Sequence, residues 1–270
     1  MNDIFQRLGL IIGSEALEKM AQTRVLVFGL GGVGSWCAEA LVRSGMGKIG
    51  LIDYDTIAES NINRQIQATS RTVGQPKAQV LAERLREINP HCEVSAWNTM
   101  FSLDDARDSE HTDKNINANS GAAQFDFKSA NYVIDAIDTL THKLDLIETS
   151  CAAGVTLFSS MGMALRMDPT RIKTAGIWET QGCPLAKLVR DGLRKRNFGG
   201  SFICVYSDES KQQYGQGDKP QTEESGAGRK IINGSAVTVT ASAGMILASL
   251  VLRDICRNTG TGEALVGGQP

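Results

Sequence analysis

Apolar residues in this chain fall into two kinds of block. Compact runs such as RVLVF at 24–28, KIGLID at 48–53, YVIDAID at 132–138 and VTLFSS at 155–160 read as buried strands, with another expected at about 92–97. Between them lie stretches with helical spacing. Residues 14–22 (SEALEKMAQ) put Leu17 and Met20 on one face behind Ser14 as an N-cap. A helix over about 33–45 ends at Gly45. Another over 76–88 opens on Pro76, repeats apolar positions at Val80, Leu81, Leu85 and Ile88, and stops before Pro90. A third covers 142–153. Strands alternating with helices predict a doubly wound α/β fold with a Rossmann-like, mainly parallel sheet.

Some segments break the alternation. Residues 54–75 are polar and irregular. Residues 108–128 (DSEHTDKNINANSGAAQFDFK) are Asn-rich and read as an exposed insertion loop. Residues 207–230 lack apolar periodicity and read as flexible, either crossing over a site or disordered. Residues 258–270 read as a flexible tail. The expected organisation is a core over 1–165, the C-terminal part of the same domain over 166–257, and that tail. Residues 231–252 carry no charge, and their length is near that of a membrane span. They are rich in Ser, Thr, Gly and Ala, which equally suits a helix buried in the core or in a dimer. Membrane association and burial both stay open.

Composition narrows the class. Of 270 residues, 41% are apolar, enough for a core, and the formal net charge is −2. The whole molecule is therefore not a polycation for nucleic acid, although a local basic face remains possible. The six cysteines form no C-x-x-C pair, so no zinc ribbon and no thioredoxin-type redox pair is expected. Scattered thiols suit a reducing, cytoplasmic setting. The N-terminus lacks the pattern of a secretory signal.

The first strand runs into Gly29-x-Gly31-Gly32-x-Gly34, and Asp53 ends the next strand. Glycines there permit a tight turn and close approach of backbone to a phosphate, and a helix N-terminus offers free N–H groups to an anion. Asp53 is placed to hold ribose hydroxyls. Alone this says nucleotide binding, or merely a turn that needs glycines. DYDTIAESNINRQ at 53–65 and Lys77 discriminate further. An NAD-dependent oxidoreductase does not need them, whereas a triphosphate does: Arg64 can fork onto phosphate oxygens and Lys77 can add a point charge. Singly, each reads as a surface salt bridge. Asp138 ends a strand where ligands bind in open sheets and suits Mg²⁺ shared with phosphates. Asp135 reads as structural. Lys143 reads either as facing the same crevice or as a solvated helix lysine.

Together, GLGGVGSW, DYDTIAESNINRQ, Lys77 and DAIDT resemble the adenylating enzymes related to ubiquitin activators and to the activators of thiamine and molybdopterin sulfur carriers. The resemblance covers about 7–165. It implies ATP with Mg²⁺, a nucleotide site of Gly29, Gly31, Gly32, Gly34, Asp53, Asp55, Asn61, Arg64, Gln65 and Lys77, and catalytic roles for Arg7, Arg64, Lys77 and Asp138. Asp138 would serve the metal. Arg7 would reach the active site of the other subunit of a homodimer. A cysteine desulfurase or sulfur acceptor is a partner the resemblance also suggests.

Residues 167–172 (MDPTRI) and 183–196 (CPLAKLVRDGLRKR) resemble the branch that dehydrates threonylcarbamoyladenosine in tRNA to its cyclic form. Lys187, Arg190, Arg194, Lys195 and Arg196, with Arg171 and Lys173, fit contacts to tRNA phosphates, or simply a solvated helix face. The chain departs from that branch at Cys183, where Asp is expected. Cys204 reads as a buried structural thiol or, with Cys183, as a candidate should the chemistry need a thioester. The alternatives are an adenylyltransferase acting on the C-terminal Gly-Gly of a sulfur carrier, and a non-catalytic sulfur-relay scaffold.

Overall fold

The computed structural model describes residues 3–103, 125–210, 222–225, 228–231 and 233–259. The three flexible segments expected above therefore lie partly outside the described residues. Seven strands form one sheet: β1 (Arg24–Phe28), β2 (Lys48–Ile52), β3 (Glu93–Trp97), β4 (Tyr132–Asp135), β5 (Thr156–Ser160), β6 (Ile172–Gly176) and β7 (Ile203–Ser207). Their order is β3-β2-β1-β4-β5-β7-β6. Every neighbouring pair is parallel except β6 with β7. From β1 the chain winds outward to β2 and β3, then returns to the other side of β1 at β4. That reversal opens a crevice at the carboxyl ends of β1 and β4, the usual ligand position in such sheets.

Burial on both faces explains the continuous apolar runs of β1. Val25 and Val27 join a core with helices α2 (Gly34–Arg43), α3 (Lys77–Ile88) and α6 (Val237–Asn258). Leu26 and Phe28 join a second core with α4 (Leu140–Ala152) and α5 (Pro184–Lys195).

The structure revises several boundaries. α1 spans Gln6–Gln22 and is broken at Gly13, whose φ of 80° is not helical. Its first half, missed by periodicity, packs with its second half near α6. β4 ends at Asp135 because the Asp135 carboxylate accepts the Ile137 N–H and turns the chain out of the sheet. Within the expected insertion loop, Phe125 and Phe127 are buried against Phe28, with ring centroids 5.3 and 5.7 Å away. Residues 104–124 lie outside the described residues. Within 207–230, β8 (Thr222–Ser225) and β9 (Gly228–Ile231) pair antiparallel, where no structure was expected.

α6 is long and apolar enough to cross a membrane by length and composition. Here it lies along α2, with Val239, Ala243, Gly244, Leu247 and Val251 buried. Gly244 permits this close packing, since a Cβ there would come within 2.4 Å of the Val33 carbonyl oxygen.

Candidate functional site

The crevice deepens into a cavity of about 750 Å³ at the carboxyl ends of β1, β2, β4 and β5. Its floor is the glycine loop. Gly29 has φ +86°, and a side chain there would collide with the Ala136 carbonyl. A Cβ on Gly34 would fall 1.8 Å from the Gly29 oxygen, so Gly34 sits behind the loop rather than in the cavity. It lets α2 start directly beneath the turn, the packing role a glycine here is expected to have, and does not contact the cavity as its place in the implied nucleotide site would require. Gly31 and Gly32 do line the cavity, and nothing lies within 4 Å of where a Gly31 Cβ would be. That open space is where a ligand can approach backbone.

Asp53 is buried at the end of β2 and organises this floor. It accepts the Leu30 N–H at 2.6 Å and the Asp55 N–H at 2.8 Å. Burial raises its carboxyl above the ordinary value, although nearby Lys77 and the two amide donors oppose the shift. Lys77, the first residue of α3, is also buried, and its ammonium meets Asp55 at 2.6 Å. A phosphate entering here competes with Asp55 for that ammonium.

Asn61, Arg64 and Gln65 line the same wall. Asn61 braces its own turn by accepting the Ala58 N–H. The Arg64 guanidinium donates to Ser60 and Asn63, and Trp36 fixes its carbonyl through a 2.9 Å bond. Buried Gln65 has a side-chain oxygen with no partner among the described residues.

Across the cavity, Asp138 lines the exposed end of the β4 turn. Tyr54 feels its charge: the phenol is raised by burial first, then by Asp55, Asp138 and Asp53. Asp135 is not in the cavity. It is fully buried, 2.8 Å from the Lys143 ammonium, and accepts the Ser159 hydroxyl at 2.6 Å. Lys143 also donates to the Ile137 carbonyl at 2.8 Å. Both readings of Lys143, solvated or facing the crevice, are therefore corrected. It braces the turn that carries Asp138 from behind.

Arg7 is exposed on α1 and does not line the cavity of its own chain. The basic residues open to contacting tRNA are partly paired within the fold. Arg196 pairs with Asp145 and Glu148, Arg194 pairs with Asp191 and lies over Trp178, and Arg190 donates to the neutral Thr180. Arg171 and Lys173 share Asp208, and they hold its carboxyl below the ordinary range, Lys173 first. Cys204 is buried in β7, and burial pushes its thiol far up.

Motif reading missed His142 on α4 and, beyond β5, Met163 and Arg166, all of which line the cavity; Cys183 at the N-cap of α5, singled out in the sequence, lines it too. Arg166 immediately precedes the quoted MDPTRI run, and its position after a strand end was the available signal. Among the described residues, no three His, Cys, Asp or Glu side chains cluster as a metal site.

The ThiF family model matches residues 5–264. The chain is 41% identical over 206 residues to the tRNA threonylcarbamoyladenosine dehydratase of Bacillus subtilis strain 168, covering 76% of this chain and 75% of that protein. The crystal structure of E. coli tRNA N6-threonylcarbamoyladenosine dehydratase in complex with ATP superposes with a TM-score of 0.77 at 32% identity, covering 98% of this chain and 96% of that one. Identity to the molybdopterin-synthase adenylyltransferase of E. coli K12 is 42%, but over only 94 residues, 35% of this chain and 36% of that protein.

Proposed function

The chain belongs to the ThiF family, and from that premise we propose that it is an ATP-dependent tRNA threonylcarbamoyladenosine dehydratase. The observation that carries this reading is the switch-point cavity. One wall holds a buried carboxylate, Asp53, suited to ribose hydroxyls, beside the cations Lys77 and Arg64, and a second wall, beyond β5, offers room for a carboxylate substrate. The match to dehydratases runs nearly end to end, whereas the carrier adenylyltransferase match is confined to about a third of the chain.

In the first step an oxygen of the threonyl carboxylate attacks the α-phosphate of ATP, and pyrophosphate leaves. Arg64 and Lys77 take up the negative charge that builds on the departing phosphates, Lys77 by exchanging Asp55 for phosphate oxygen. In the second step the modification's own ureido nitrogen or oxygen closes onto the acyl carbon and expels AMP. The carboxylate oxygen leaves with AMP, so the nucleoside loses one water while ATP becomes AMP and pyrophosphate.

Mg²⁺ belongs to the same proposal. It ordinarily takes one or two carboxylates together with substrate phosphates. Asp138 and Asp55 both line the cavity and would supply them. The metal would neutralise phosphate charge. A homodimer is proposed from the apolar surface of α1 and α6: Leu10 is 85% exposed and Ile11 65%, and Met245 is exposed on α6. Arg7 is exposed on α1, and the family resemblance is what suggests that it serves a partner's cavity. A cytoplasmic setting and a cysteine desulfurase or sulfur-acceptor partner rest on thiol pattern and family resemblance.

The test is to incubate the protein with ATP, Mg²⁺ and tRNA carrying the linear modification labelled with heavy oxygen in its carboxylate. Loss of one water from the nucleoside with the label recovered in AMP is expected. No change in the tRNA, with pyrophosphate exchange driven by a carrier protein instead, would overturn it.

A further inference from the structure

Arg166 is only 2% exposed, yet its Nε and Nη1 meet no acceptor among the described residues. An arginine does not escape this by losing its proton. A buried cation with unmet donors is strongly unfavourable, and such an orphan calls for an explanation in an absent ligand. Arg166 also lines the cavity.

The chain holds Arg166 firmly on both sides. Leu165 adopts φ 59°, uncommon for a non-glycine, and its N–H donates to the Gly234 carbonyl at 2.9 Å. Met167 and Asp168 both donate main-chain N–H groups to the buried Glu209 carboxylate at 3.0 Å. Glu209 thus serves the backbone around Arg166. Residues 183–185, the first turn of the 12-residue helix α5, line the cavity as well. A helix N-terminus adds positive potential to a site that already contains a cation.

The triphosphate has its own cations, Arg64 and Lys77, and these come from the elements that follow β2. Arg166 comes from the segment after β5. Resting on the function proposed above, we propose that Arg166 is the carboxylate subsite of this enzyme: its guanidinium fork takes the planar carboxylate of the threonyl group and presents it for attack. Arg166 then determines specificity for a free carboxylate, a role separate from binding ATP.

The test compares binding of the free nucleoside N6-threonylcarbamoyladenosine with that of its methyl ester, by calorimetry with the full chain. Wild-type protein should prefer the acid by about 10- to 100-fold, the worth of one or two charge-assisted hydrogen bonds. Arg166→Met should abolish the preference, Arg166→Lys should restore part of it, and ATP affinity should stay within about twofold in both. Arg166→Gln carries the same comparison should Arg166→Met fail to fold. An acid preference that survives in the variant overturns the assignment. So does a loss of ATP affinity matching the loss of acid binding, because the guanidinium would then belong to the triphosphate. Wild-type protein that leaves modified tRNA linear sinks the dehydratase reading instead, and the acid-to-ester ratio still decides what Arg166 holds.

Discussion

Replacing Lys143 by Met removes the only ammonium within ion-pair range of a fully buried carboxylate among the described residues. Lys143 Nζ lies 2.8 Å from Asp135 Oδ2, and both side chains are at 0% exposure. Asp135 would keep the Ser159 hydroxyl at 2.6 Å and the Ile137 N–H at 3.1 Å, and the Ile137 carbonyl would lose its donor. Breaking one side of a buried pair costs about 3–5 kcal/mol, against a total domain stability of about 5–15 kcal/mol. The thermal midpoint should fall by on the order of 10 °C. Because the same contacts brace the turn that carries Asp138, turnover should fall in whatever protein remains folded. Urea unfolding of Lys143→Met, of Asp135→Asn and of the double variant forms a cycle. The double variant should recover much of the loss, since no buried charge is left uncompensated. A single-variant loss below about 1 kcal/mol, the range of an exposed pair, would refute this account of the turn.

Two glycines should separate folding from binding. Gly31→Ala has open space and should keep its melting temperature while weakening ATP binding, whereas Gly34→Ala, 1.8 Å from a carbonyl oxygen, should lose the fold; calorimetry and thermal melts read both. Asp53 should give a pH signature. Its carboxyl is raised by burial, so its acceptor charge is lost as pH falls through a point above the ordinary carboxylate value of about 3.9. Adenosine binding should weaken there in wild type, and Asp53→Asn should lack that pH step. For folding the sign is opposite: the contribution of a raised carboxyl is full at acid pH and is lost as pH rises through the folded-state value. Arg196→Gln should lower stability by about 1 kcal/mol, because its partners are Asp145 and Glu148, and should leave the salt dependence of tRNA binding unchanged in filter-binding titrations.

Short-range pattern was enough for β1 to β5, for α2, α3, α4 and α6, for the glycine turn and for the placing of Asp53, because each depends on neighbours a few residues away; it did not mark β6, β7, the β8–β9 pair or the first half of α1. A period of two or of 3.6 reports which face of an element is buried, and a glycine demanded by backbone crowding is visible as a glycine. Lys143 and Arg166 were not readable in this way. A lysine in the first turn of a helix looks solvated until α4 lays it against the buried end of β4. An arginine before a Pro turn looks like surface until β5 and α5 enclose it. The basic residues at 171–173 and 187–196 were open to reading as a nucleic-acid face because several of the acids that pair with them are remote in sequence: Asp145 is 51 residues from Arg196, and Asp208 is 37 from Arg171. Local sequence thus determined strands β1 to β5, the turn and the carboxylate that ends β2. Tertiary packing alone decided which charges are buried, which are paired within the fold, and which remain for a ligand, since electrostatic partners are chosen by distance in space.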